Sequence, residues 1–167
     1  MITPAWVAMM ARYNAWQNGW VVEACEALGE AERRSDRGLF FGSVHGTLSH
    51  VLWGDHMWLA RFTGGELPGI RIADSGDYVT DWSALLRQRA ETDAALVDWA
   101  GGVTGDWLAT DYSWHSKAAG RQVSRPMAQV VTHLFNHQTH HRGQIHAALT
   151  RTGQATSDTD LFFLEPD

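Results

Sequence analysis

The sequence predicts an all-α protein, a four-helix bundle with a short β-hairpin between the third and fourth helices. Four stretches of roughly 20 residues repeat apolar side chains at three- and four-residue steps, the signature of a helix with one buried face. Each is bounded by residues that start or stop helices. The one segment that breaks this rhythm lies just before the last stretch. No repeat, low-complexity linker or change of composition divides the 167 residues, so residues 1–167 read as one domain, large enough for a substantial core.

The first helix opens with Thr3 as N-cap and Pro4 at the first helical position, and carries Trp6, Met9, Tyr13, Trp16 and Trp20 as its expected inner stripe. Gly29 is its expected stop. The second begins at Ser43, places Val44, Leu48, Val51, Asp55, Trp58 and Phe62 on one face, and ends at "TGGELPG". The third spans Asp81 to Trp99, with Leu85, Leu86, Leu96 and Trp99 inward, and closes at Gly101-Gly102. In "DWLATDYSWHSKAAGRQVSRP" the opening residues alternate Trp107, Ala109 and Asp111 against Leu108, Thr110 and Tyr112, while "KAAGR" offers a turn; a hairpin is expected. Ser124 and Pro126 announce the last helix, which runs to about Arg151 before Gly153.

Charge removes one class of function. The formal net charge is −6 and the 13 Lys and Arg are scattered rather than striped, so a nucleic-acid backbone is not the expected partner. No stretch approaches the roughly 20 apolar residues of a membrane span. The single cysteine, Cys25, permits no internal disulfide, and the opening "MITPAWVAMMARYNAW" lacks a basic flank before its apolar part. A cytoplasmic location is the resulting expectation.

The segment "NHQTHHRGQIH" concentrates four of the nine histidines in the last helix. Met127, Val130, Leu134, His137, His141, Gln144 and Ala148 fall on one heptad seam, which puts His137 and His141 one turn apart facing the interior. His133 and His140 flank that seam and His146 lies opposite it. Two inward imidazoles at that spacing either share a metal ion or sit as hydrogen-bonded core residues, and burying both without a partner is costly. A third ligand is available in the second helix from His45, His50 or His56. His50 stands out because Gly46 and Gly54, one turn to either side, leave room beside its ring, whereas His45 and His56 are expected outward or at a helix edge. No Glu-x-x-His or His-Glu-x-x-His occurs, which disfavours di-iron carboxylate and zincin chemistry.

"SVHGTLSHVLWGDHMWLARF", "HLFNHQTHHRGQIHAAL", "RYNAWQN" and the closing "TSDTDLFFL" occur in an order that resembles the DinB-like family of metal-binding bacterial bundles across essentially the whole chain. The resemblance implies an up-down-down-up bundle holding one divalent ion through His50, His137 and His141, with zinc or nickel foremost and iron or manganese also compatible with imidazole. It further implies a small-molecule substrate, with a low-molecular-weight thiol as the candidate, since related activities are thiol-dependent S-transferases and isomerases; a metal-binding or stress-response protein without turnover is the alternative. Family habit and the surplus of tryptophan point to a homodimer. Around the ligands, Gln144 is expected inward on the seam and Arg142 nearer the rim. Asp55 either orients a ligand imidazole or, slightly favoured, pairs with an arginine such as Arg89, and Trp53 and Trp58 are candidate pocket walls. Neutral imidazoles are required for ligation, so metal binding is expected to weaken as pH falls toward and below about 6.5.

Overall fold

The computed structural model describes residues 1–116 and 119–165. Four long helices dominate: α1 (Pro4–Glu26), α3 (Val44–Thr63), α4 (Trp82–Gly101) and α6 (Met127–Arg151). Between them lie short helices α2 (Glu30–Arg34) and α5 (Gly105–Leu108), a 3-10 turn at Ile72–Asp77, and strands β1 (Asp111–Ser116) and β2 (Arg121–Pro126). A second 3-10 turn, Leu161–Phe163, lies near the C-terminus. The α1 helix packs on α4 and α6, and α3 packs on the same two. Consecutive long helices α1 and α3 are therefore diagonal in the bundle.

Local signals account for most boundaries. The Thr3 hydroxyl accepts from the Trp6 amide, Ser43 from Gly46 and Asp81 from Ala84, each satisfying a donor that the first helical turn leaves open. At the end of α3, Gly64 takes φ 75°, a left-handed conformation that glycine adopts without a Cβ clash. Elsewhere the structure departs from expectation. The α1 helix stops at Glu26, and Gly29 instead precedes α2. Residues 105–108 form α5, capped by Thr104, because that hydroxyl captures the Trp107 amide; the alternation there is not a strand. The hairpin starts only at Asp111, paired with Pro126, and Ser124 lies within β2 opposite Ser113 rather than capping α6. Lys117 and Ala118 of the expected "KAAGR" turn lie outside the described residues.

The buried face of α1 is rotated from the tryptophan stripe. Val7, Ala11, Asn14, Asn18, Val21 and Cys25 are buried, whereas Trp6, Met9, Trp16 and Trp20 are half-buried at the edges. Wide indole rings cover seams between helices, and smaller residues occupy the narrow centre. Apolar clusters fill both ends of the bundle: Val21, Cys25, Val44, Leu52, Leu85, Ile145 and Leu149 at one, and Val7, Ala11, Met127, Val131 and Phe135 at the other. Each fully buried Leu, Ile or Phe among them contributes about 1.5–3 kcal/mol.

Between the two ends every long helix supplies polar side chains. Asn18 of α1 donates to Asp93 of α4 at 2.8 Å; Arg89 reaches Asp93 at 3.1 Å through Nε and Asp55 of α3 at 2.5 Å through Nη1. Gln138 of α6 donates to the same Asp55 oxygen and accepts from Arg142 at 3.0 Å. Asp55 is thus engaged in the structural pairing. The closing segment is strapped to α1, where Tyr13 donates to the Thr159 carbonyl at 2.6 Å and Gln17 to that of Asp158 at 3.1 Å. Among the described residues no helix is long and apolar enough to cross a membrane.

A candidate metal centre

His50 of α3 and His137 and His141 of α6 converge where these two helices pack. One nitrogen from each lies within 4.8 Å of the others, and ring centroids are 5.0 Å (His50–His137), 4.8 Å (His50–His141) and 4.6 Å (His137–His141) apart. The Nε2 atoms of His50 and His137 are 2.9 Å from each other. No acidic or thiol group joins this cluster among the described residues.

Hydrogen bonding assigns the tautomers. Ser75 donates its hydroxyl proton to the Ile72 carbonyl at 2.6 Å, so its oxygen accepts from His50 Nδ1 at 2.7 Å. His141 Nδ1 donates to Gln144 Oε1 at 2.8 Å. In both rings the proton is on Nδ1 and the lone pair is on Nε2, the arrangement by which an outer partner orients a metal-binding imidazole. His137 Nδ1 is buried with no partner among the described residues.

Electrostatics keep these rings neutral. Burial, with His141 close by, pushes His50 down to about 3. Burial followed by the neighbouring imidazoles holds His137 at about 3, and burial lowers His141 against the pull of Gln144. A histidine whose folded pKa lies below its unfolded value of about 6.5 contributes stability above pH 6.5 that is lost as pH falls toward the folded value. His50 and His137 therefore present unprotonated ligand atoms well into the acid range. Cys25 offers nothing comparable, because burial pushes its thiol up to about 12.

The glycines beside His50 have a more definite task than leaving space. A Cβ on Gly54 would lie 2.9 Å from Cε1 of His137, and one on Gly46 would lie 2.5 Å from the Phe41 carbonyl oxygen. Phe41 in turn stacks on His50 with centroids 3.8 Å apart and planes at 19°, while Trp53 flanks the same ring at 5.8 Å and 23°. Gly54→Ala is expected to leave α3 at least as helical, since alanine is favoured in helices by up to about 1 kcal/mol. It should weaken metal binding at least tenfold, on the order of other changes that disturb ligand orientation. A titration with Co²⁺ followed by visible absorption checks this, and unchanged affinity would remove Gly54 from the site.

Other expectations need correction. His45 is buried, not outward, with Nε2 2.9 Å from the Val79 carbonyl oxygen. His56 is half-buried and receives the Tyr78 hydroxyl at Nδ1, 2.9 Å away. Arg142 is only 5% exposed and belongs to the polar layer rather than the rim. Gln144 is half-buried beside His141, and Gln138 takes the inward place assigned to it. The seam drifts because 3.6 residues per turn does not match a strict heptad. Trp58 lies against His133 at 5.5 Å rather than against the three clustered histidines. His133 and His140 are exposed, and His146 packs on Trp20 at 5.1 Å. Phe41 and Ser75 escape the sequence reading, because Phe41 sits in a short loop and Ser75 in a 3-10 turn, outside the helical periodicity that singled out His137 and His141.

Comparison with known proteins agrees over the full length. The family model described as the DinB family matches residues 1–167. Protein DinB of Bacillus subtilis (strain 168) is 24% identical over 161 residues, an alignment covering 89% of this chain and 87% of that protein. No solved structure matches the chain.

Proposed function

The chain belongs to the DinB family, and on that premise we propose that it holds one divalent ion, zinc or nickel foremost, through His50, His137 and His141 and uses it to activate a low-molecular-weight thiol or water. The supporting observation is three neutral imidazoles converging from two helices, with no carboxylate or thiolate among the described residues to complete the set. Three histidines leave coordination positions open, as in catalytic zinc sites. A bound ion would lower the pKa of a coordinated thiol or water and so supply a nucleophile near neutral pH. The protein's own part is to fix ligand orientation through Ser75 and Gln144 and to shield His50 between Phe41 and Trp53. With Cys25 buried and held protonated, a reacting thiol belongs to the substrate.

The test is elemental analysis of the full chain purified without a histidine tag, followed by a screen pairing electrophiles with small thiols. One equivalent of metal per chain and thiol consumption lost in His50→Ala would support the enzyme. A loaded protein that turns over none of them would favour a metal-binding or stress-response role, and failure to take up any divalent ion would end the metal reading.

Burial moves the expected pH dependence. Since His50 and His137 are held at about 3, loaded protein should keep its ion at pH 5.5 and release it only in more acid solution. Release centred near the ordinary histidine value of about 6.5 in an equilibrium Co²⁺ titration would contradict a buried site.

A further inference from the structure

A cavity of about 370 Å³ opens next to the histidine cluster, with Phe40, Phe41, Ser43, His45, Ala73 and Asp77 among its lining residues. None of the three clustered histidines lines it. Phe41 belongs to both places, because its ring also stacks on His50 at 3.8 Å and lies 5.8 Å from His141. One aromatic ring thus separates a largely polar cavity from two of the three candidate ligands.

That partition is built into the fold. Gly38 and Gly42 take φ 67° and 72° on either side of Leu39–Phe41, and the Arg37 amide donates to the Gly42 carbonyl at 2.8 Å, closing the turn. Gly46 of α3 admits the Phe41 carbonyl where a Cβ would be 2.5 Å away, and a Cβ on Gly76 would meet the Phe41 ring at 3.5 Å. Phe40 beside it is 81% exposed, while the Gly42 amide donates to the Leu39 carbonyl at 2.9 Å and the Ser43 amide to that of Phe41 at 2.8 Å. Ser43, His45 and Asp77 give the cavity hydrogen-bonding groups suited to a small polar molecule rather than to a lipid or an aliphatic chain.

We propose that this cavity is the vestibule of the three-histidine site, receiving a small polar molecule, and that Phe41 is the partition past which the molecule brings its donor atom to the ion. The proposal rests on the reading that the cluster holds an ion. It is tested on the full chain loaded with Co²⁺, by the rate at which excess EDTA bleaches the cobalt absorption. Phe41→Ala is expected to release cobalt at least tenfold faster and Phe41→Leu to fall between it and wild type. Ala73→Trp, which fills the vestibule from an exposed position, is expected to slow release at least threefold, with its cobalt content unchanged. Equal rates in wild type, Phe41→Ala and Ala73→Trp overturn the vestibule while leaving the metal site standing. A wild-type chain that takes up no cobalt overturns the metal reading and this one with it. Should Phe41→Ala fail to fold, the Ala73→Trp rate decides alone.

Discussion

Replacing any one of His50, His137 or His141 by alanine is expected to abolish stoichiometric metal binding, whereas His133→Ala, His140→Ala and His146→Ala should retain it. The three clustered rings place nitrogens within 4.8 Å of one another, and an ion bound by three imidazoles would find no fourth acidic, thiol or imidazole ligand in that group among the described residues to replace a lost one. The surface histidines have no such convergence: His133 and His140 are exposed and His146 rests on Trp20. His140 is the most searching control, because its ring is 4.9 Å from His141 and it is linked to Gln144 at 3.2 Å. Its removal should lower affinity only slightly, through looser orientation of His141. Metal content per chain after dialysis measures the contrast. Equal loss across both sets would mean a loose surface patch of imidazoles, and full retention in His137→Ala would mean that another atom holds the ion.

The largest stability effect is expected at Arg89. It is 3% exposed, and it bridges Asp55, which is fully buried, and Asp93. Removing one partner of a buried ion pair leaves uncompensated charge and costs about 3–5 kcal/mol. For a chain of this size that corresponds to a fall of roughly 6–20 °C in melting temperature. Arg89→Met keeps much of the side-chain volume, so the loss should come from the two carboxylates rather than from a cavity. The sign with pH follows. Burial already holds the Asp55 carboxyl up, at about 6, against the pull of Arg89, and without the guanidinium it should rise further. A carboxyl raised in the folded state destabilises that state when pH is high enough to ionise it. The Asp55 share of the Arg89→Met deficit should therefore shrink as pH falls toward about 6, the wild-type value, and be absent below it, since the histidine contribution is common to both proteins. Chemical denaturation at pH 5 and pH 8 measures it; a loss under about 1 kcal/mol, the range of an exposed pair, would show that the layer is solvated.

How much of this was legible in the chain depends on the range of the interaction. Caps at Thr3, Ser43 and Asp81 act within three residues, and the apolar spacing of α3 acts within one helix. Such local regularities determined the four long helices, the existence of a hairpin and the pairing of His137 with His141 on one face, while the pairing of Asp55 with an arginine followed from the need of a buried carboxylate for a partner. Flanking glycines set His50 apart from His45 and His56, but periodicity put it only at the margin of the seam, and the resemblance of whole segments made it the third member.

Only the tertiary structure decided the rest. It rotated α1 so that small and polar residues face inward while tryptophans cover the seams, because packing between helices depends on shape as well as hydrophobicity. It buried His45, Gln138 and Arg142, since the Val79 carbonyl for His45, Asp55 of α3 for Gln138, and Gln138 with the Tyr13 ring for Arg142 offset the cost of removing polar groups from water. It also turned Gly46 and Gly54 from gaps into points of contact, with Phe41 and His137 approaching where a Cβ would stand. Sequence alone determined which faces could meet; which atoms touch across them depends on partners distant in the chain, and these no local pattern encodes.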